Sequence, residues 1–236
     1  MSTLFLSSHC YACTCEGYLV FLDARNGFYS CLPPSQATSV INAFRHQEQN
    51  PKSEISTTIL HDASIQELLK SNILTTLHTN GKNLFFEYFE KPVNEIVGTG
   101  HFESPTITIN SFIRFLWSLT LGFLIWKCLP FRAIHWLRRH QYENNPDITN
   151  DISPDRLSVL VDIFFYLAPF FYTTKDHCFL TSAAMTIFLR SHNIRASWIF
   201  GVTMEPFIAH CWTQVGNTVV ADNLFRVWRF TPIMSI

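Results

Sequence analysis

The sequence carries almost no net charge and has few charged side chains. Its 236 residues include 17 Lys and Arg against 18 Asp and Glu, which gives a formal net charge of -1, and charged residues make up only 15% of the chain. This balance provides no general electrostatic attraction toward nucleic acid or anionic lipid. We therefore exclude nucleic acid as an expected partner.

The chain also lacks the marks of secretion. Its first residues, MSTLFLSSHCYACTCEG, have neither a basic start nor a long apolar core. The seven cysteines are an odd number, so they cannot all pair within one chain. Both features favour a reducing compartment, and we expect a cytoplasmic protein.

A nucleotide-binding loop is missing as well. No segment has the form Gly-x-x-x-x-Gly-Lys-Ser/Thr, and the chain contains no internal repeat or low-complexity tract. The protein is therefore expected to work without a nucleotide of its own, and we predict no cofactor.

What the sequence has in abundance is apolar material. Hydrophobic residues make up 47% of the chain and 22 residues are Phe, so a sizeable core can form and disorder is excluded. The length suits one large domain or two small ones. Because the passage Lys91–Thr108 is polar and contains Pro and Gly, it is a suitable boundary. We expect two domains, residues 1–100 and 101–236.

The first domain is predicted to be a small α+β unit. Asn26-Gly27 between two β-rich runs is a strong hairpin signal, and Ser is a favoured residue at the start of a helix. The predicted elements are strands at Tyr18–Leu22 and Phe28–Leu32, a helix capped by Ser35 that continues through Phe44, a helix capped by Ser64, and a strand pair around Asn80-Gly81.

The second domain begins with helical patterns and ends with strand patterns. The predicted elements are helices over Ile109–Arg139, over Pro154–Tyr172 and from Cys178 through Arg190, followed by strands over Ala196–Val202, Phe207–Val215 and Thr218–Asp222.

One segment of the first of these helices, Phe112–Trp126, is nearly all apolar. It is shorter than the ~20 apolar residues that a membrane-spanning helix needs, and it contains Arg114. Since its apolar residues cover all faces, we expect a helix buried in protein. Contact with a membrane surface is the alternative.

A nucleophilic site is indicated in the second domain. Cys178 stands at a predicted helix start, where the helix dipole and a nearby imidazole would stabilise a thiolate and the backbone N–H of Cys178 would help to bind an oxyanion. His210 and Asp222 fall in the two following strand patterns. Together they supply a nucleophile, a base and an orienting carboxylate. Taken singly, each also has a plainer explanation, as a core Cys, a core His or a turn-forming Asp.

The hairpin between His210 and Asp222 provides an internal check. In a regular hairpin the two residues stand opposite each other only if the loop has three residues, Val215-Gly216-Asn217. A two-residue loop would place Asp222 opposite Cys211. We therefore predict the three-residue loop.

Several motifs in the second half resemble the lasso-peptide maturation proteases, in particular their fused, microcin-type form. Asn193 stands where that family often has Gly, but Asn also tolerates a left-handed helix cap. The segments that carry the resemblance are Asp176–Leu180, Phe188–Ile194, Trp198–Val202, Pro206–Trp212, Ala221-Asp222 and Phe230–Met234.

The resemblance implies an α+β chain in which a small winged-helix-like, PqqD-like domain precedes a transglutaminase-like (papain-like) cysteine protease domain. It places the family's catalytic residues on Cys178, His210 and Asp222. The expected activity is removal of the leader peptide from a ribosomally made lasso precursor, which the first domain holds by its leader. The implied partner is a separate ATP-dependent, asparagine-synthetase-like cyclase that closes the macrolactam.

Two other functions use the same fold. The site can transfer the acyl group to an amine, as a transglutaminase does, or the chain can be an inert adaptor that only binds the precursor. His177 and Cys211 are interpreted as residues that merely flank the catalytic ones.

A metal site is the remaining alternative. His9, Cys10, Cys13 and Cys15 group four potential ligands, and Cys31 could complete a second pair. The cluster lacks the two regularly spaced pairs of a structural zinc site, so we predict no metal and treat these cysteines as reduced residues of strands and turns.

Overall fold

A computed structural model describes residues 4–49, 61–77, 81–83, 89–98, 105–128, 152–173 and 177–236, without the side chains of residues 46–49 and 128. The chain divides into two compact units, one of Met1–Tyr88 with Thr203–Pro206 and one of Phe89–Val202 with Phe207–Ile236. The division therefore falls before the predicted boundary after residue 100. The reason is a short strand, Asn94–Ile96, that pairs within the sheet of the second unit.

The first unit contains the predicted hairpin. Strands β3 (Tyr18–Asp23) and β4 (Phe28–Leu32) pair antiparallel with Leu22 opposite Tyr29, and the carboxylate of Asp23 accepts a hydrogen bond from the backbone N–H of Arg25 at the turn. Gly27 closes the turn at φ +72°, which glycine adopts without strain. The strands of this sheet, in spatial order β2-β3-β4, are β2 (Cys10–Cys15), β3 (Tyr18–Asp23) and β4 (Phe28–Leu32).

Two helices and a second small sheet complete the first unit. The second helix begins one residue before its predicted cap: Asp62, not Ser64, is the capping residue, and its side chain accepts from the backbone N–H of Ser64. Part of the strand pair predicted around Asn80-Gly81 lies outside the described residues. The elements are β1 (Phe5–Ser7), α1 (Pro34–Gln49), α2 (Ala63–Lys70), β5 (Leu74–Thr75) and β6 (Gly81–Lys82), with sheet order β5-β1-β6.

A five-stranded sheet organises the second unit. Its strands lie in the spatial order β11-β8-β9-β10-β7; β11 pairs antiparallel with β8 and β10 with β9, whereas β7 runs parallel to β10. All three predicted strands are present with small shifts at their ends. The strands are β7 (Asn94–Ile96), β8 (Ser197–Thr203), β9 (Ile208–Val215), β10 (Thr218–Val220) and β11 (Thr231–Ser235).

The helices of the second unit begin where the sequence places them. The side chain of Ser153 caps α4 by accepting from the backbone N–H of Arg156, and Asn193 takes the left-handed conformation (φ +63°) expected after α5. The part of the first predicted helix beyond Cys128 lies outside the described residues. The helices are α3 (Ile109–Cys128), α4 (Pro154–Leu167), which a 3-10 turn (Ala168–Phe170) follows, α5 (Cys178–Ser191) and the short α6 (Leu224–Val227).

Helix α3 is buried along one face only. It packs on α5, where a Cβ at Gly122 would lie 3.1 Å from that of Ala184, and Phe115 is fully buried against the core. Its outer face carries apolar side chains such as Ile113 and Trp117, which are 59% and 58% exposed. The prediction of a helix covered on all sides is therefore wrong for the described structure.

By its length and composition alone, α3 is also apolar enough to cross a membrane. Nineteen of its residues, Ile109–Lys127, have a mean hydropathy of 1.4, and this is the one helix in the described parts of the chain that is long and apolar enough. A single helix of this kind is weak evidence, since core helices of soluble proteins have the same composition. Contact of Phe112–Trp126 with a membrane surface stays a prediction.

Candidate active site

Cys178 is the first residue of α5, as predicted. Its side chain is exposed, while the residues that follow on the helix are mostly buried and fix its position. The first backbone N–H groups of a helix have no partner within the helix and carry partial positive charge. The sulfur and any oxyanion formed beside it therefore lie at the electropositive end of α5.

His210 lies on β9 and is 5% exposed. Its ring stacks on Trp212 with centroids 6.2 Å apart and also contacts the ring of Phe230. Gly201 on the neighbouring strand leaves room for Trp212, since a Cβ there would come within 2.8 Å of the indole. Aromatic packing thus holds the imidazole in one orientation.

Asp222 meets His210, with 2.5 Å between His210 Nε2 and Asp222 Oδ2. The predicted loop is nevertheless wrong. Thr218 pairs with Val215, so the loop has two residues, Gly216 and Asn217. Continued regularly, this register would turn the carboxylate away from the imidazole.

The contact forms because β10 ends at Val220, before Asp222 is reached. Ala221 has φ +66°, a left-handed conformation that is unusual for a residue with a side chain. Its backbone N–H donates to the carbonyl of Ile96 on β7 at 2.9 Å. This bond holds the turn that redirects Asp222 toward His210.

The carboxylate of Asp222 has further partners. Its Oδ1 accepts from the backbone N–H of Asn223 at 2.8 Å, and Arg226 Nη1 lies 4.0 Å away. Glu95 on β7 accepts from the backbone N–H of Leu224 and so holds the start of α6. The short strand β7 was not predicted from the sequence. It holds the chain both before Asp222, at Ala221, and after it, at Leu224.

The site favours a thiolate beside an imidazolium. Hydrogen bonding to Cys211 and then to His210 lowers the pKa of Cys178 from 9.0 to about 4, against the opposing effect of burial. Burial lowers the pKa of His210, but hydrogen bonds to Asp222 and Cys178 outweigh it and raise that pKa overall. Because Nε2 of His210 is bonded to Asp222, Nδ1 is the nitrogen that remains for Cys178.

Cys211 is a component of the site that sequence reasoning missed. It was predicted merely to flank His210; in the structure its buried thiol lines the cleft that holds Cys178, and hydrogen bonding to Cys178 raises the pKa of Cys211. The hydroxyl of Ser182 lies 3.3 Å from the Cys211 sulfur and 2.6 Å from the carbonyl oxygen of Cys178, and Trp198 Nε1 donates to it at 2.8 Å. These side chains fix both sulfurs relative to α5.

The Cys178–Cys211 contact leads to a prediction about pH. The Cys211→Ala variant loses a thiol that donates to the Cys178 thiolate, so the pKa of Cys178 should rise from about 4. If it rises by about one unit, the midpoint of the pH profile for alkylation by iodoacetamide should move up by the same amount, and the rate at pH values well below that midpoint should slow roughly tenfold. Cys211→Ser keeps a donor and should stay closer to wild type. Equal pH profiles for all three proteins would contradict a role for Cys211 in stabilising the thiolate.

The other predicted cysteines separate within the first unit. Cys13 and Cys15 each follow Cys10 on β2 by an odd number of residues. Because side chains alternate between the two faces of a strand, both point to the face opposite that of Cys10. Burial raises the pKa values of Cys10 and Cys13 to about 12, which makes both thiols unreactive. The residues weighed as an alternative metal site therefore do not all face one point, although ligand atoms of His9, Cys10 and Asp23 lie within 4.8 Å of one another.

Comparison with known proteins shows what the second unit is similar to. Residues 125–235 match the family model of the transglutaminase-like superfamily. The microcin J25-processing protein McjB of Escherichia coli is 37% identical over 62 residues, which make up 26% of this chain and 28% of that protein. The chain thus matches less than a third of the relative's length. No solved structure matches significantly. These two matches confirm the resemblance predicted from the sequence motifs, over the residues that they cover.

Proposed function

From the match of residues 125–235 to the transglutaminase-like superfamily, we propose that this chain is a cytoplasmic cysteine protease that removes the leader peptide from a lasso-peptide precursor. One observation carries the proposal. Cys178 lines the same cleft as His210, whose Nε2 is bonded to the carboxylate of Asp222, and hydrogen bonding to that imidazole helps to lower the pKa of the thiol. This is the arrangement that a thiol needs to attack a peptide carbonyl at neutral pH.

The first half of the reaction forms an acyl-enzyme. The Cys178 thiolate attacks the scissile carbonyl, and the resulting oxyanion is stabilised by the backbone N–H of Cys178 at the start of α5. The imidazolium of His210 gives its proton to the departing amine as the C–N bond breaks. The core peptide leaves with a free N-terminus, and the leader remains on the sulfur as a thioester.

The second half of the reaction releases the leader. His210, now neutral, takes a proton from water, which attacks the thioester carbonyl and displaces Cys178. Asp222 stabilises the imidazolium in both halves through its contact with Nε2. The freed core amine is the group that an ATP-dependent, asparagine-synthetase-like partner would join to an Asp or Glu side chain.

The first unit is proposed to bind the leader. Its sheets have open edges in the described residues, for example at β4, which pairs only with β3. An extended peptide can add a strand at such an edge, with main-chain hydrogen bonds for affinity and side-chain pockets for specificity. Its winged-helix-like, PqqD-like character stays a prediction.

The activity is tested with the full chain, a precursor encoded beside its gene, and the partner cyclase. Mass spectrometry should detect a leader that ends in a free carboxylate. Adding a small primary amine distinguishes the alternatives: a transglutaminase-type acyl transferase would yield the leader carrying that amine, and an inert adaptor would yield no cleaved leader. Either result would overturn the proposal.

Leader binding leads to a prediction about precursor length. Shortening the leader from its far end, away from the cleavage site, should raise KM much more than it lowers kcat. The reason is that tethering supplies effective concentration, of mM order for short flexible connections, and leaves the chemical step unchanged. Excess isolated leader should inhibit cleavage of the full precursor and leave cleavage of the shortened one unaffected. Equal KM values for both precursors would contradict leader binding.

A further inference from the structure

An aromatic pocket lies directly beside the nucleophile in the second unit. It has a volume of about 470 Å³, within the range of roughly 300–1,000 Å³ typical of ligand pockets. It is formed by α3, the segment after the 3-10 turn, and the start of α5. The lining residues are Leu119, Thr120, Phe123, Trp126, Phe171, Tyr172, His177 and Leu180.

The pocket adjoins the catalytic cleft. His177, which forms part of its wall, immediately precedes Cys178 in the chain and packs against Trp126 with ring centroids 5.3 Å apart. Tyr172 lines the pocket and donates from its hydroxyl to Thr181 Oγ1 at 3.3 Å. Thr181 in turn lines the cleft that holds Cys178 and His210. The pocket therefore lies near any peptide whose carbonyl reaches Cys178.

The described residues that line the pocket favour an apolar occupant. None of them is a carboxylate, Lys or Arg, and their polar groups are one Thr hydroxyl, one Tyr hydroxyl and one imidazole. Two of its aromatic side chains, Phe123 and Phe171, are 49% and 50% exposed, which leaves large apolar surface for a ligand to cover. Each extended residue spans about 3.3–3.6 Å, so the pocket is within reach of side chains that flank the scissile bond.

We infer that this pocket is a specificity subsite that binds a large apolar or aromatic side chain of the cleaved polypeptide, within two residues of the scissile bond. The inference rests on the proposed protease function and adds the substrate class. Filling the pocket buries apolar area on both partners, which favours such substrates over those with Ala or Asp at that position.

The test uses the full chain and two series of epoxysuccinyl peptides that react covalently with Cys178. One series extends toward the acyl side of the reactive carbon and one toward the amine side, each with Phe, Leu, Ala or Asp next to it. In one series, reagents with Phe or Leu should inactivate the protein roughly tenfold or more faster than those with Ala or Asp. Iodoacetamide carries no amino-acid side chain that could fill the pocket, so its rate measures only the reactivity of Cys178.

Two matched variants separate the pocket from the rest of α3. Thr120→Trp places an indole at an exposed position that lines the pocket and should abolish the preference, leaving the iodoacetamide rate unchanged. Ile113→Trp makes a similar change on the outer face of α3, where Ile113 is 59% exposed, and should keep the preference.

The failures of the two proposals are distinguishable. Rapid alkylation of Cys178 by iodoacetamide, together with equal rates for all side chains in both series, would overturn the pocket and leave the nucleophile intact. A preference that survives Thr120→Trp would place the subsite elsewhere. Failure of iodoacetamide to modify Cys178 would overturn the proposed function itself, and with it the subsite.

Discussion

Replacing Cys178 by alanine is expected to abolish leader removal, with kcat falling on the order of 10⁴–10⁶-fold. The change removes the sulfur that forms the acyl-enzyme, and no other exposed thiol lies in the described cleft around His210. Since Cys178 is exposed at the start of α5, the variant loses little packing. Precursor binding and the thermal unfolding midpoint should therefore stay close to those of the wild type.

The matched control is Cys13→Ala, which removes a buried thiol whose pKa is raised to about 12 by burial. This variant should keep its cleavage activity even if its unfolding midpoint drops. Chemical labelling gives a second, independent check. At about pH 6 iodoacetamide should modify Cys178 before Cys31, which is also exposed, because the thiolate is the reacting form. If mass spectrometry detects a cleaved leader with the Cys178→Ala variant, Cys178 is not the nucleophile.

The catalytic helix start could be predicted because its signals are local. A polar turn before Cys178 and a run of helix-forming residues after it place the nucleophile at an N-terminus, and the structure begins α5 at that residue. The hairpin of the first unit was predictable for the same reason, since Asn26-Gly27 is a short-range turn signal. Caps were less certain, because Asp62 and Ser64 are both good capping residues and only the backbone conformation decides between them.

The contact between His210 and Asp222 shows where pattern-based reasoning stops. The prediction assumed that strand alternation continues to Asp222, so it needed a three-residue loop to place acid and base on one face. Instead β10 ends early, and Ala221 changes the chain direction with the support of β7. A left-handed Ala and a parallel partner more than a hundred residues earlier in the chain leave no local signal.

Cys211 was missed for a related reason. Alternation along β9 places it on the opposite face from His210, toward Ser182 on α5, and that orientation appeared to remove it from the site. In the structure, however, Cys211 and His210 both line the cleft that holds Cys178 at the start of α5.

The Asp222→Asn variant is expected to keep the fold and to lower kcat roughly 10²–10⁴-fold. An amide carries no charge to stabilise the imidazolium of His210, and its NH₂ group would donate to Nε2 and so favour the tautomer with the proton on Nδ1, facing Cys178. The pKa of His210 is raised by its hydrogen bond to Asp222, in spite of burial. Removing the carboxylate should therefore lower this pKa.

The sign of the pH effect follows from that change. The thiolate–imidazolium pair exists at pH values above the pKa of Cys178, about 4, and below the pKa of His210. With a lower His210 pKa, the alkaline limb of kcat should move to lower pH in Asp222→Asn, and the fall in activity should grow as pH rises. Asp155→Asn, at an exposed position in the first turn of α4, is the matched control and should leave the profile unchanged. An Asp222→Asn enzyme within about threefold of wild type, with its alkaline limb in place, would mean that another group orients His210.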